Sequence, residues 1–415
     1  MKKVHILFSL LVSELIVLVI VLKIYLLGGK HLSPYLSFIL LLIVSAILIF
    51  KNQNKRKMLL LCSFYLTGYV IIMLFLFRVF HWPNHDKEFI RVNNNYTSYS
   101  WQTAEPKEDD FNTERLSYIL ANAKSIKNLQ SVLVVKDKKL IVEQYFHGCN
   151  QFDAFNIFSM TQTVISSLIG IAIDQGIIGS EKDKMINYFP AYRNQKYISD
   201  KKNITIENLL TNQAWLNGNE NESSFNSFNW IKSTLKRPRN NKKGIQYFQQ
   251  QTGHLLSGII TEVSGKSTKK YAEEYLCKPL GIRIINWFQS PGGIYRGSNT
   301  LYLTSRDIAR FGDLYLSNGK LNGKQILSKK WIDKSLTRHI EITLQVNKDF
   351  LINGVGYSWI TGTIHNKDVY IASDLNGVFI INIPSEDITI VTTRYKIRDY
   401  KSIESLICDI VSTIK

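Results

Sequence analysis

The sequence predicts an α+β fold: an antiparallel five-stranded sheet drawn from both chain ends, with a helical region inserted in the middle and three transmembrane helices in front. Three observations predict this. Residues 4–27, 34–50 and 58–80 are long apolar runs. Strand-like runs occur at 131–146 and again, four times, after residue 355. Between them lies NIFSMTQTVISSLIGIAIDQG, residues 156–176, which is apolar on nearly every face of a helix and must therefore be buried.

Each of the three apolar runs is long enough to cross a hydrocarbon layer at about 1.5 Å rise per residue. A cleaved signal peptide explains only the first of them. Lys2 and Lys3 precede the first run and Lys51, Lys55, Arg56 and Lys57 separate the second from the third, whereas the first loop offers only Lys30. Positive charge gathers on the cytoplasmic side, so the N-terminus and second loop belong there. Residues 1–82 then form a multi-pass cell-membrane anchor, and everything beyond lies outside the cytoplasm. Inside the spans only Glu14 and Lys23 are charged, with Arg78 at the outer end of the third, too few for an obvious transport pathway.

Net charge is +18, and once the anchor is set aside the remainder keeps about +10. Outside a membrane such charge points to anionic lipid or anionic wall polymers and not to nucleic acid. Of the four cysteines, Cys62 falls in the third span, while Cys149, Cys277 and Cys408 lie outside it at no metal-like spacing. An odd external number argues against a disulfide framework. Neither a metal nor a cofactor is implied.

Residues 83–114 are polar and read as a linker. The domain proper, 115–415, opens with SVLVVKDKKLIVEQYF, two β-branched runs about a turn at Lys136 to Lys139, a hairpin pattern. The buried helix follows, then short helical pieces and loops to about residue 335. GYSWITG, DVYIAS, GVFIINI and DITIVTT alternate as antiparallel strands do, and an amphipathic helix runs from Tyr400 to Ile414. Ser159 stands where a polar turn becomes the buried helix. A serine there is commonly an N-cap. It also lies beside unpaired N–H groups and the positive dipole end, where a nucleophile is well placed.

Several segments together carry a family resemblance: FNIFSMTQTVISSLIGIAIDQGII, ITIENLLTNQAW, LLSGIITEVSGKSTKKYAEEYLCKPLGI and YLTSRDIARFGDLYLSNGKLNGKQILSKKWI. The chain resembles the serine β-lactamase and penicillin-binding proteins, in particular the class C-like group of esterases and 6-aminohexanoate-dimer hydrolases, over residues 115–414. The resemblance implies a serine nucleophile and a lysine one helical turn later to take its proton, a Tyr-x-Asn or Tyr-x-Ser loop, and a Lys/His-x-Gly element on the sheet edge beside the oxyanion hole.

At those motifs this chain departs. Ser159 is kept, but Gln162 stands at the lysine position and cannot act as a base. Either Tyr247 or Phe248 falls at the tyrosine position, depending on register, with Gln249 or Gln250 after it. Leu375 stands where the Lys or His belongs, followed by Asn376 and Gly377, and a backbone N–H near Val378 is left as the oxyanion donor. Bulky Trp215 replaces a small turn residue and is expected to crowd the cleft.

The expectation is a membrane-anchored, extracytoplasmic protein of the serine hydrolase fold, its catalysis weak or lost, binding a cell-wall peptide or ester ligand or serving an envelope partner. The alternative is an active hydrolase of an ester or D-amino-acid amide, working through an acyl-enzyme at Ser159 with Tyr247 as base.

Overall fold

The computed structural model describes residues 88–92, 99–216, 227–239, 250–374, 377–395 and 400–415. The three predicted membrane spans lie outside these residues. Among the described residues no helix is long and apolar enough to cross a membrane.

The strands are β1 (Ile90–Arg91), β2 (Gln102–Thr103), β3 (Leu129–Lys136), β4 (Lys139–Tyr145), β5 (Asp153–Asn156), β6 (Asn286–Trp287), β7 (Leu301–Thr304), β8 (Lys320–Leu321), β9 (Lys324–Gln325), β10 (Ile340–Asn347), β11 (Phe350–Val355), β12 (Ile360–Ile364), β13 (Lys367–Ser373), β14 (Phe379–Ile383) and β15 (Ile388–Arg394). The main sheet has nine strands in the order β10-β11-β12-β13-β14-β15-β3-β4-β2. It joins the two ends of the domain through β15 and β3, which pair antiparallel from Ile388↔Lys136 to Arg394↔Leu129.

Nine strands replace the five expected, and the β2–β4 pair is parallel. The extra strands were hidden for physical reasons. β10, IEITLQVN, is exposed or half-exposed at seven of its eight positions, so it lacks the alternation that marks a half-buried strand. The inserted region is not all helix either, because β1, β5, β7 and β6 form a second, four-stranded sheet. β5 of that sheet leads straight into Ser159.

The hairpin of β3 and β4 turns at Asp137 and Lys138, both with positive φ (47° and 61°), as the twist of a two-residue hairpin turn demands. β3 is buried on both faces, with Leu133 and Val135 in one hydrophobic cluster and Val132 and Val134 in the other. The second cluster is covered by α1 (Thr113–Ala123) and the C-terminal helix Tyr400–Val411, through Leu116, Leu120, Ile403 and Ile407. The first holds the helices that carry the site: α2 (Thr161–Asp174), α3 (Ile206–Leu210), α4 (Trp230–Leu235), α5 (Gln250–Ser264) and α6 (Ser305–Leu316). α2 is buried over twelve of its fourteen residues, and each large aliphatic there contributes about 1.5–3 kcal/mol. At Gly170 a Cβ would lie 2.4 Å from the Trp331 ring, so glycine is what lets that indole pack on the helix backbone.

Residues 99–111, read from composition as part of a linker, are fastened to the domain. Trp101 and Phe111 are buried, and Arg310 of α6 lies 3.5 Å from the centroid of the Tyr99 ring. Few apolar residues suffice for this because the two largest, Trp101 and Phe111, are both buried.

Candidate functional site

β5 ends at Asn156, whose Oδ1 accepts the Phe158 amide at 2.9 Å and turns the chain sharply. Phe158 takes φ +44°, a left-handed conformation that a bulky residue adopts at a cost of the order of 1–3 kcal/mol. It persists because the Phe158 ring is buried and the Ile157 amide is bonded to Leu301 O of β7. The result lifts Ser159 into a 3₁₀ turn, Phe158–Met160, at the head of α2. Ser159 is half-exposed between buried neighbours. Its hydroxyl caps nothing, since the residue at the cap of α2 is Met160 and no side chain accepts there. Among the described residues Ser159 Oγ has no hydrogen-bond partner.

Gln162 lies one turn on, buried, and its Nε2 donates to Ser298 Oγ at 3.2 Å. Its slot is built by two glycines. A Cβ on Gly253 of α5 would stand 2.3 Å from Ser298 Oγ and 3.0 Å from Gln162 Cγ, and one on Gly297 would stand 1.8 Å from Gly253 O. On the same side Asn212, at φ +56°, accepts the Thr252 hydroxyl at 2.7 Å through Oδ1. Asn212, Thr252 and Ser298 are buried polar residues that the sequence reading did not single out. Gly253 was the available signal, since a glycine inside a helix commonly has a packing reason.

β13 packs beside the turn that carries Ser159. Beyond its end, Asp374 is buried and Gly377 takes φ +102°, with its carbonyl accepting from the Thr392 hydroxyl at 3.0 Å. The Val378 amide, expected to face an oxyanion, instead donates to Asp374 Oδ1 at 2.8 Å, while the Asp374 amide donates back to Val378 O at 3.1 Å. This corrects the sequence expectation. A short aspartate side chain reaches amides a few residues away in its own loop, and here it takes the donor for itself.

Of the remaining sequence candidates, Tyr247, Leu375 and Asn376 lie outside the described residues, and Gln250 begins α5. Trp215 takes φ +47° and its ring is faced by the Arg239 guanidinium at 5.4 Å. Cys149, Cys277 and Cys408 are free thiols, each buried. No three metal-ligating side chains gather among the described residues.

Comparison with known proteins bears on the family and the fold. A Bacillus subtilis (strain 168) protein provisionally named penicillin-binding protein PbpX is 22% identical over 237 residues, 52% of this chain and 59% of that protein. The matched stretch thus spans less than two thirds of that relative. Among solved structures, one provisionally named a 6-aminohexanoate-dimer hydrolase from Bacillus anthracis superposes with a TM-score of 0.58 at 18% identity, covering 78% of this chain and 89% of the other. A class C β-lactamase from Rhodobacter sphaeroides gives 0.55 at 12%, covering 72% and 99%. At such identities these structures attest the fold alone. The Beta-lactamase family profile matches residues 127–391, from just before β3 into β15, and the chain belongs to that family.

Proposed function

We propose that this is a membrane-anchored, extracytoplasmic protein of the serine hydrolase fold in which acyl transfer at Ser159 is weak or lost, the cleft serving to bind a cell-envelope ligand such as a wall peptide or ester. The observation that carries the reading is the hydrogen bond from the Val378 amide to Asp374 Oδ1. A developing oxyanion at that position meets a carboxylate in place of a donor, and losing one such donor costs about 2.7–4 kcal/mol of barrier. Gln162 supports the same conclusion, because it is buried against Ser298 and has no proton to exchange near neutral pH. A missing general base costs about 3–5 kcal/mol more. The anchor rests on the three apolar runs of residues 4–80 and the lysines and arginines that flank them.

One observation favours the second reading, an active hydrolase of an ester or D-amino-acid amide. Ser159 is presented half-exposed at the head of α2 by a left-handed Phe158, as a working nucleophile would be. Tyr247 would then supply the base. Membranes carrying the full chain, treated with fluorescent penicillin and with a fluorophosphonate, separate the two. The expected result is no labelling that depends on Ser159. Labelling that disappears in Ser159→Ala overturns the first reading and establishes the second.

A further inference from the structure

Residues 88–92 follow the third apolar run in sequence and contain the short strand β1. β1 pairs antiparallel with β5 through Ile90↔Ala154 and Arg91↔Asp153, and the Val92 amide donates to Phe152 O at 2.9 Å. So short a ladder is marginal by itself. An ion pair reinforces it. The Arg91 guanidinium donates to both oxygens of the Asp153 carboxylate, Nε to Oδ1 at 2.7 Å and Nη2 to Oδ2 at 2.8 Å, and Nη2 also donates to Gly148 O at 2.9 Å. Phe89 meets the Phe155 ring edge-on at 6.5 Å, and the Glu88 carbonyl accepts from Gln130 Nε2 of β3 at 3.1 Å.

The ion pair is lopsided, because the Arg91 side chain is 51% exposed whereas Asp153 is fully buried. The arginine can return to water easily, but the carboxylate it leaves keeps the Asn150 amide at 2.8 Å and loses its counter-charge. The consequence travels along β5. That strand runs from Asp153 to Asn156, and Asn156 Oδ1 holds the Phe158 amide in the turn that presents Ser159. With β1 seated, β5 lies between β1 and β7. Without it, β5 becomes an edge strand, paired in its sheet only to β7 through Ala154, Phe155 and Asn156, and an edge opens more readily.

We propose that residues 88–92 are a regulatory strap: seated on β5 they hold the turn that presents Ser159, and drawn off β5 they loosen it. A pull along the chain from the anchor of residues 4–80 reaches β5 through this strap. That source of pull rests on the anchor reading given above, while the hold on the turn stands without it. The strap acts whether or not Ser159 reacts.

The test reads hydrogen–deuterium exchange by mass spectrometry on the full chain in neutral detergent, comparing peptides over residues 88–92, 153–160 and 388–394. In Arg91→Ala the first two should exchange faster together, by about tenfold or more, while β15 keeps its protection. Arg91→Lys keeps a charge for Asp153 but not the paired hydrogen bonds; it should show the same pattern at a smaller size, and it guards against a variant that fails to fold. Lys329→Ala breaks an exposed ion pair with Asp333 elsewhere and should leave all three peptides unchanged. Faster exchange over residues 88–92 with 153–160 still protected overturns the proposal, since the strap then leaves without touching the turn. Acceleration that is equal in β15, or equal in Lys329→Ala, overturns it too, as a general loss of stability. The anchor is decided separately, by carbonate extraction of membranes. A chain that washes off has no source of pull, which overturns the regulatory role even where the exchange pattern is as expected.

Discussion

The Val378 amide and the Asp374 carboxylate are joined across the end of β13 by a 2.8 Å hydrogen bond in a buried loop. The bond satisfies two groups that burial would otherwise leave costly, so it stabilises the loop. On the reading proposed above, it also occupies an amide that would otherwise face an oxyanion. On that reading, stability and catalysis pull in opposite directions at this one contact.

The first prediction separates them. Asp374→Ala releases the amide and Gln162→Lys restores an amine one turn from Ser159. Neither single variant should hydrolyse p-nitrophenyl acetate much above the parent. The double variant should exceed the parent by about a hundredfold or more, within the range a positioned base supplies. Asp374→Ala should also lower the unfolding free energy by about 1–3 kcal/mol, read by chemical denaturation. A folded double variant with no gain would mean that the cleft has been reshaped beyond these two positions.

A second prediction concerns the turn that presents Ser159. Asn156→Ala removes the acceptor that holds the Phe158 amide in place. We expect a loss of about 1–2 kcal/mol in stability and faster hydrogen exchange confined to residues 157–160. Unchanged exchange there would show that the buried Phe158 ring alone fixes the turn.

Gly253 and Gly297 give a third. With a methyl group 2.3 Å from Ser298 Oγ, Gly253→Ala should destabilise by more than about 2 kcal/mol, and Ser298→Gly should recover only part of it because Gly297 O stands at 2.6 Å. Gly297→Ala meets Gly253 O itself at 1.8 Å and should not be rescued by any side-chain change. Denaturation midpoints of the single and double variants decide this, and full rescue by Ser298→Gly would show that the backbones can part.

Much of the sheet was legible because its strands alternate or run apolar between turn residues, as GVFIINI and DITIVTT do. The nucleophile helix was legible for the opposite reason, its lack of a polar face. β10 escaped because both its faces meet solvent, and β2 because two residues carry no period. At the site, the sequence locates Ser159 and Gln162 but says nothing of where their hydrogen bonds go. Ser298 is 136 residues from Gln162 and Asn212 is 40 from Thr252, so both partnerships are tertiary. Asp374 was visible next to the expected Lys or His position, yet an aspartate in a loop is ordinarily a turn former, and only geometry reveals whose amide it takes.

The last prediction concerns acid. His254, on α5 immediately after Gly253, is buried with its ring 5.3 Å from that of Trp230. Burial first, and then the positive charge of Arg296, push its pKa from 6.5 down to about 3. Above pH 6.5 the imidazole is neutral in both folded and unfolded chains and contributes no pH dependence. Between about 6.5 and 3 the unfolded chain binds a proton that the folded one refuses, so stability falls as pH falls across that window. The full difference is of the order of 4–5 kcal/mol, at about 1.4 kcal/mol per unit. His254→Leu keeps an apolar side chain of similar size and removes the titration. Denaturant unfolding at pH 7, 5.5 and 4 should show a steep decline for the parent and a shallower one for the variant. Parallel declines would show that His254 keeps its ordinary pKa and that the carboxylates alone set the acid limit.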